Sequence, residues 1–456
     1  MQRLDHYCPD LPLFDVVHTR RLEAAALEPL APHALMQRAG AAIARLALAL
    51  APHARTIRIV AGSGNNGGDG LDAAVRLQQA GKSVEVVLLG EPQADDARDA
   101  LARARDAGVP LNPHVLTALG PLDLAIDALL GIGASRPAEG TLREAIAGVN
   151  ALPCAVLAVD LPSGLAADTG QPLGEAVRAT HTLCLLTLKP GLFTAAGRDH
   201  AGTVGFDDLG VASAGAAPQA TLGGAEAGDA PTRRHVQHKG SFGDVAVIGG
   251  SHGMAGAALL AARAALAAGA GRVYVELLDT QAVALDALRP ELMLRPGWSR
   301  RADPARLASS TVVCGCGGGD EVRAVLPALI STCERLVLDA DALNALSTDE
   351  ALQPLLANRA ARGRCTVLTP HPLEAARLLG VSNAQVQADR LGAAGRLADR
   401  FASVVVLKGS GSIIAAPGRT PCINASGDAS LATAGTGAVL AGWLRGHWAQ
   451  RDEADA

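Results

Sequence analysis

The stretch Ala61-Gly-Ser-Gly-Asn-Asn-Gly-Gly-Asp-Gly70 constrains this chain more than any other. It follows Thr56-Ile-Arg-Ile-Val60, whose β-branched residues read as a buried strand. It precedes Leu71 to Ala80, where Leu71, Ala74, Val75 and Gln78 share a helical face. Gly81 then stands where a helix needs a left-handed stop. A second strand is expected from Ser83 to Leu89. The glycines therefore mark the strand-to-helix turn of a βαβ unit, where backbone N–H groups and a helix N-terminus favour anions. Lacking a Cβ, Gly62, Gly64, Gly67 and Gly68 are expected to let a ligand approach the main chain closely. The spacing Gly62-x-Gly64-x-x-Gly67 matches the dinucleotide fingerprint, which is weak by itself, and Glu91 comes late for the ribose-binding acid. A ligand-free tight turn would explain the glycines equally well. It does not explain Asn65, Asn66 and Asp69, whose oxygens and amide donors a mere turn does not need.

With 456 residues the chain can build two or three domains with real cores. A net charge of −5 argues against a phosphate-backbone partner, and an aromatic share of 2% leaves few platforms for stacking bases, so no nucleic-acid partner is expected. The first ten residues carry no signal-type apolar core. The run from Ala255 to Ala270 is interrupted by Arg263 and too short for a bilayer, so no membrane partner is expected. The eight cysteines are scattered, and Cys314-Gly-Cys316 has no second pair to complete a zinc site. They read as reduced, mostly buried thiols of a cytoplasmic protein.

A helical reading covers about Val16 to Leu50, with Leu35, Met36, Ala39, Ile43 and Leu46 as a core-facing stripe. Further strands end in polar residues. Leu122 to Asp127 leads into Ala128-Leu-Leu-Gly-Ile-Gly-Ala-Ser-Arg-Pro137, Cys154 to Asp160 leads into Leu161-Pro-Ser-Gly164, and His181 to Leu188 ends at Lys189-Pro-Gly191. Parallel strands carry ligands at their carboxyl edge. Asn65, Asn66, Asp127, Asp160 and Ser163 all lie at such ends. Each alone reads as a cap or turn former, but together they are expected to converge on one crevice.

These ordered motifs, over about residues 12 to 212, resemble the epimerase domain of the bifunctional NAD(P)H-hydrate repair enzymes. The resemblance implies a potassium ion held by Asn66, Asp127 and Ser163, and oxygen ligands suit such a hard cation. It implies a hydrated dinucleotide lying over Asn65, Asn66, Gly67, Gly68 and Asp69 and over Gly131, Ile132, Gly133, Ala134, Ser135, Arg136 and Pro137. Asp160 would lie nearest the damaged ring as the acid–base group. The implied reaction interconverts the R and S forms of NADHX or NADPHX.

Val211 to Thr232 is rich in small residues and proline and lacks an apolar period, so a linker is expected over 213–232, between domains at 1–212 and 233–456. Beyond it, strand-to-loop junctions recur at Asp244-Val-Ala-Val-Ile248, Thr311 to Gly319, Leu336 to Asn344, Val367-Leu-Thr-Pro-His-Pro372 and Val404 to Ser412. Alternating strands and helices imply a second parallel sheet. Thr433-Ala-Gly-Thr-Gly437 precedes an apolar helix beginning near Val439 and reads as a phosphate pocket. Lys408 could add a point charge, although a snorkelling surface lysine and a His371 that merely caps a turn are the simpler readings of each residue alone.

Together these residues resemble the ADP/ATP-dependent NAD(P)H-hydrate dehydratase domain. The whole is then an α/β protein, with an N-terminal Rossmann-like three-layer αβα sandwich and a C-terminal ribokinase-like αβα domain. The resemblance implies that Ala257, Gly317, His371 and position 438 contact the hydrate. It implies that Lys408, Gly409, Ser410, Gly411, Ser412 and Gly437 contact ADP or ATP, with magnesium. The family pattern has an Asp after Gly-Thr-Gly as the base for the substrate hydroxyl, whereas this chain has Ala438. A methyl group accepts no proton, and loss of a positioned base costs about 10²–10⁴-fold. The expectation is an intact epimerase beside a weak or absent dehydratase, in a domain C-terminally short of the family pattern. The rival readings are a small-alcohol kinase or a degenerate nucleotide-binding domain in the second half, and a plain Rossmann dehydrogenase ranks last. A homo-oligomer is implied by the resemblance alone.

Overall fold

Alternation of buried side chains builds the first sheet. Its parallel strands are β1 (Thr56–Ala61), β2 (Ser83–Leu88), β3 (Leu124–Ala128), β4 (Ala155–Val159), β5 (His181–Leu185) and β6 (Thr203–Asp207). Ile57, Ile59, Ile126 and Leu157 point into one apolar core, and Val60, Ala125, Val156 and Ala158 into another. Because successive strand residues face opposite sides, both faces need cover. Of the helices α1 (Val16–Leu27), α2 (Ala34–Leu50), α3 (Asn65–Gln79), α4 (Asp95–Asp106) and α5 (Gly140–Asn150), α2, α3 and α4 contribute to the first core and α5 to the second. The result is a three-layer αβα arrangement. The structure, a computed structural model, describes residues 2–3, 10–113, 118–213, 215–223, 233–282, 285–302 and 304–450. The chain divides into one unit of Met1–Glu226 with Cys422–Ser426, and a second of Ala227–Pro421 with Gly427–Ala456.

In the first sheet the order β6-β5-β4-β3-β1-β2 is flanked by Gln2–Arg3 at one edge and Leu111–Asn112 at the other. The chain leaves β1 for β2 on one side and returns to β3 on the other. That reversal opens a crevice at the carboxyl ends of β1 and β3. The register pairs Val60 with Asp127 and Asp127 with Ala158, so the ends of three strands share one edge.

Several expectations change in detail. The region read as helical from about Val16 to Leu50 is two helices with a break between them. Pro29 and Pro32 lack N–H groups and disfavour the helical region for the residues before them. Asp15 caps α1 through the His18 N–H (2.7 Å), and His33 opens α2 at φ 63°. α3 begins at Asn65, so the turn proper is Gly62-Ser-Gly64 and the Asn-Asn-Gly-Gly run is already helical. Within the stretch expected to be linker, Ala220–Gly223 is a strand, antiparallel to Leu11–Leu13 and parallel to Cys422–Asn424. Residues 224–232 of that stretch, and 1 and 4–9 of the N-terminus, lie outside the described residues.

The second unit is again α/β. Its strands β7 (Asp244–Gly249), β8 (Arg272–Leu277), β9 (Thr311–Cys314), β10 (Arg335–Leu338), β11 (Cys365–Leu368) and β12 (Val404–Leu407) are parallel, in the order β8-β7-β9-β10-β11-β12, and β13 (Ile413–Ala415) runs antiparallel to β12. Val247, Val313, Val337 and Val406 share a core with the alanine faces of α6 (Ala255–Ala267) and, near the C-terminus, α8 (Thr436–Trp448). On the same sheet edge sit Gly250, Gly315, Asp339, Thr369 and Lys408, one after each of β7, β9, β10, β11 and β12. The last helix begins at Thr436 rather than near Val439, because Gly435 takes the left-handed cap position (φ 92°). This puts Gly437 and Ala438 inside its first turn. Among the described residues, no helix is long and apolar enough to cross a membrane.

Candidate functional site

In the first unit, Asn66, Asp127 and Ser163 meet at the Leu130 peptide. Asn66 Nδ2 donates to the Leu130 carbonyl (3.1 Å), and the Leu130 N–H donates to Ser163 Oγ (2.8 Å). The Ser163 hydroxyl donates to Asp127 Oδ1 (2.6 Å) and its N–H to Asp127 Oδ2 (2.8 Å). Asp127 and Ser163 are wholly buried and Asn66 nearly so. Burial pushes the Asp127 carboxyl up to about 6, against the lowering pull of the bonds from Ser163 and Leu129. No Lys, Arg or His among the described residues forms an ion pair with it. A buried carboxylate without a cation, beside amide and hydroxyl oxygens, fits a hard monovalent cation better than a transition metal. Among the described residues no group of three or more His, Cys, Asp or Glu is placed to hold a metal ion.

Above this cluster lies a cavity of about 1060 Å³. That is at the upper end of the roughly 300–1,000 Å³ usual for small-molecule sites. Asn65, Asn66, Asp69, residues 131–137 and Asp160 line it, at the N-terminus of α3. Arg20 and Arg136 bring positive charge to the wall. Gly67 and Gly68, expected to face the ligand, are not among its lining residues. A Cβ on Gly67 would stand 1.9 Å from the Gly62 carbonyl oxygen, and one on Gly68 would meet Met36 and Ala97. At both positions α3 packs too closely against the protein to admit a Cβ.

Asp160 stands just past β4 with φ 67°, a conformation that costs a non-glycine residue and turns its carboxylate back along the strand ends. Its Oδ1 accepts from Lys189 Nζ and from the Leu185 N–H (3.2 Å). Lys189 is 1% exposed and also donates to the Leu185 carbonyl (2.7 Å). Burial alone would lower the Lys189 ammonium, but the charge of Asp160 holds it above its usual value. Lys189, at the end of the His181 to Leu188 strand, is thus part of the site although its motif alone does not assign it there. Its signal was a lysine directly after a buried strand. Two further carboxyl groups face the same cavity. Burial, with Asp160 and Glu23 nearby, pushes Asp69 well above its usual value, and burial with Asp160 pushes Glu23 up. The wall thus offers a carboxyl whose affinity for a proton is raised (Asp69) beside a carboxylate paired with a lysine (Asp160), two carboxyl groups in different environments as acid–base chemistry requires.

In the second unit, Lys408 Nζ donates to Asp339 Oδ1 (2.8 Å) and lies 4.0 Å from Glu374. It is a partly buried, paired lysine rather than a snorkelling one. A Cβ on Gly437 would stand 3.1 Å from Lys408 Nζ and 3.8 Å from Asp339 Oδ2. His371 caps α7 (Pro372–Leu379). Its Nδ1 accepts from the Leu373 (3.1 Å) and Glu374 (3.3 Å) N–H groups, and Glu374 returns a bond to the His371 N–H (2.8 Å). Burial and the Lys408 charge hold His371 below its usual pKa, so the ring is neutral with its proton on Nε2, 3.3 Å from Glu374 Oε1. Gly317 meets Ala257, since a Cβ there would lie 2.9 Å from the Ala257 methyl. Cys316 Sγ, one residue earlier, is 3.7 Å from Asp339 Oδ2 and joins that pair to the charged cluster. In the Lys408–Ser412 turn, Ser412 Oγ bonds the Gly409 carbonyl (3.2 Å), and buried Arg390 ties the Lys408 and Gly411 carbonyls. Asp339, Thr369, Glu374 and Arg390 are the residues sequence reasoning missed here.

Two parallel α/β units, each with charged and amide groups gathered at the carboxyl edge of its strands, define a two-domain protein of nucleotide-handling type. The comparisons make this particular. The model described as YjeF-related protein N-terminus matches residues 32–191, and that described as NAD(P)H-hydrate dehydratase matches residues 245–456. The bifunctional NAD(P)H-hydrate repair enzyme Nnr of Escherichia coli is 36% identical over 438 residues, covering 94% of this chain and 83% of that protein. The bifunctional NAD(P)H-hydrate repair enzyme of Leishmania braziliensis is also 36% identical, covering 94% and 82%. A solved ADP/ATP-dependent NAD(P)H-hydrate dehydratase from Bacillus subtilis, co-crystallised with ATP and Mg2+, is 28% identical over 49% of this chain and 79% of its own, with a TM-score of 0.39. The chain belongs to the bifunctional NAD(P)H-hydrate repair enzyme family, which joins an isomerase to a lyase.

Proposed function

We propose that the first unit interconverts the R and S forms of NADHX and NADPHX, and that the second dehydrates the S form at the expense of ADP or ATP with magnesium. The observation that carries this reading is the meeting of Asn66, Asp127 and Ser163 at the Leu130 peptide, beneath a dinucleotide-sized cavity whose wall holds Asp160 and Asp69. In the first unit Asn66, Asp127 and Ser163 hold potassium, which supplies a fixed positive charge under the ligand. The α3 N-terminus and Arg136 take the pyrophosphate. Asp160, oriented by Lys189, takes the hydroxyl proton as the bond between the hydrated carbon and the ring nitrogen breaks and the oxygen becomes a carbonyl, while Asp69 gives a proton to the nitrogen; rotation of the open carbonyl and the reverse steps re-form the bond on either face. In the second unit Lys408, the turn to Ser412 and Gly437 take the phosphates, and Ala257, Gly317 and His371 take the hydrate. The same reading makes the protein a cytoplasmic homo-oligomer acting on small molecules.

The test is to incubate the protein with pure R hydrate and follow S by chromatography. Asp160→Asn should abolish the interconversion at unchanged folding, and retained turnover would remove Asp160 from the chemistry. A second-unit kinase of a small alcohol would instead accumulate a phosphorylated product from that alcohol.

A further inference from the structure

Phosphoryl transfer to the hydroxyl of the hydrate needs an acceptor for the hydroxyl proton. Position 438 offers a buried methyl group in the first turn of α8. Among the described residues around Lys408 at the carboxyl edge of the second sheet, few groups could serve instead. Lys408 is a cation. His371 is neutral, but its Nδ1 lone pair is committed to two backbone N–H groups and its Nε2 carries the proton. Glu374 accepts from the His371 N–H through Oε2 and faces the His371 ring through Oε1, so both oxygens serve the capping box. Asp341 accepts through both oxygens, Oδ2 from the Gly319 N–H (3.0 Å) and Oδ1 from Asn344 Nδ2 (3.4 Å).

Asp339 differs from all of these. Thr369 Oγ1 (2.8 Å) and Lys408 Nζ (2.8 Å) both donate to its Oδ1. Among the described residues its Oδ2 accepts only the weak thiol bond from Cys316 (3.7 Å), and it lies 3.8 Å from where a Cβ on Gly437 would stand. One oxygen is therefore fixed and the other faces the first turn of α8, one residue from Ala438. Asp339 lies at the end of β10 and is 2% exposed, so its position is set by the sheet.

We propose that Asp339 takes the proton from the substrate hydroxyl, in place of the carboxylate that position 438 lacks. The proposal rests on the dehydratase reading of this unit. The hydroxyl oxygen attacks the terminal phosphorus of the nucleotide, the new oxygen–phosphorus bond forms, and the bond to the bridging oxygen breaks to release the shortened nucleotide. The hydroxyl proton passes to Asp339 Oδ2. Phosphate then leaves with the carbon–oxygen electron pair, and the neighbouring ring carbon gives its proton to the departing phosphate as the double bond is completed. Lys408, released to the phosphates when nucleotide binds, frees Asp339 of its ion pair at the step that needs it.

The test follows nucleotide-dependent recovery of NAD(P)H absorbance from the S hydrate with the full chain. Asp339→Asn should lower kcat about 10²–10⁴-fold while calorimetry still shows nucleotide binding. Adding Ala438→Asp to that variant should restore turnover. Turnover of Asp339→Asn within about threefold of the parent, a loss confined to the nucleotide KM, or a kcat loss that Ala438→Asp leaves unrepaired would each overturn the proposal. If Asp339→Asn does not fold, Thr369→Val carries the test. Without the Thr369 donor Asp339 loses part of its fixed orientation, so kcat should fall about tenfold or more at an unchanged nucleotide KM and recover on adding Ala438→Asp, and an unchanged kcat refutes the role. A parent chain that binds nucleotide and hydrate but never turns over also overturns it, leaving the family reading intact. A parent that binds neither refutes that reading instead.

Discussion

Burying the Asp127 carboxylate without a cation has a cost that can be worked out. Its carboxyl is pushed from 3.8 to about 6 by burial. At ~1.4 kcal/mol per unit, about two units correspond to ~3 kcal/mol. Because the folded-state pKa is raised, the favourable contribution is fully present below the unfolded value of 3.8 and is lost as pH rises through about 6. Potassium-free protein should therefore lose up to ~3 kcal/mol of first-unit stability between about pH 4 and pH 7 from this group. A cation that binds the ionised form at a hundredfold its Kd returns ~2.7 kcal/mol. Potassium should thus raise the unfolding midpoint at about pH 8 by several degrees, at roughly 2–4 °C per kcal/mol for a unit of this size. At about pH 5 it should do little. Asp127→Asn should remove the potassium response. Its own stability in potassium-free buffer should change less, since relief of the charge is offset by an amide N–H₂ that cannot accept from the Ser163 N–H. The assay is thermal unfolding against pH in potassium and in tetramethylammonium salts. Equal stabilisation by potassium at both pH values, or in Asp127→Asn, would refute the reasoning.

Lys189→Met leaves Asp160 without its buried partner, and should cost about 3–5 kcal/mol in unfolding free energy together with a large loss of epimerisation. An unchanged melting curve would show that the pair is not structural. Gly67→Ala forces a Cβ to 1.9 Å from the Gly62 oxygen and should cost about 1–3 kcal/mol or more by denaturant unfolding. Wild-type stability would mean the turn can open. Arg445 is wholly buried, finds no hydrogen-bond partner among the described residues, and stacks 4.4 Å over Trp448. Arg445→Met should be neutral or stabilising by about 1–4 kcal/mol, whereas a clear loss of Tm would assign real worth to the stacking.

Much of this protein was legible without coordinates because its signals are local. Strand–turn–helix alternation gave the α/β class, and polar residues ending apolar strands gave Asn66, Asp127, Asp160 and Ser163. Proline chemistry broke the region read as helical from about Val16 to Leu50, a local signal passed over. What the sequence alone could not decide was which strand ends become neighbours. β3 lies beside β1 rather than beside β2, and that order alone brings Asn66 and Ser163 to one peptide. The same holds for Lys189 on Asp160 and for Lys408 on Asp339, residues 69 apart in the second case. Burial and pairing of charge depend on separations set by strand order and packing, and no periodicity encodes those. The glycines make the point in reverse. Their number announced a close approach, but only packing showed that at Gly67 and Gly68 the approaching partner is the protein itself.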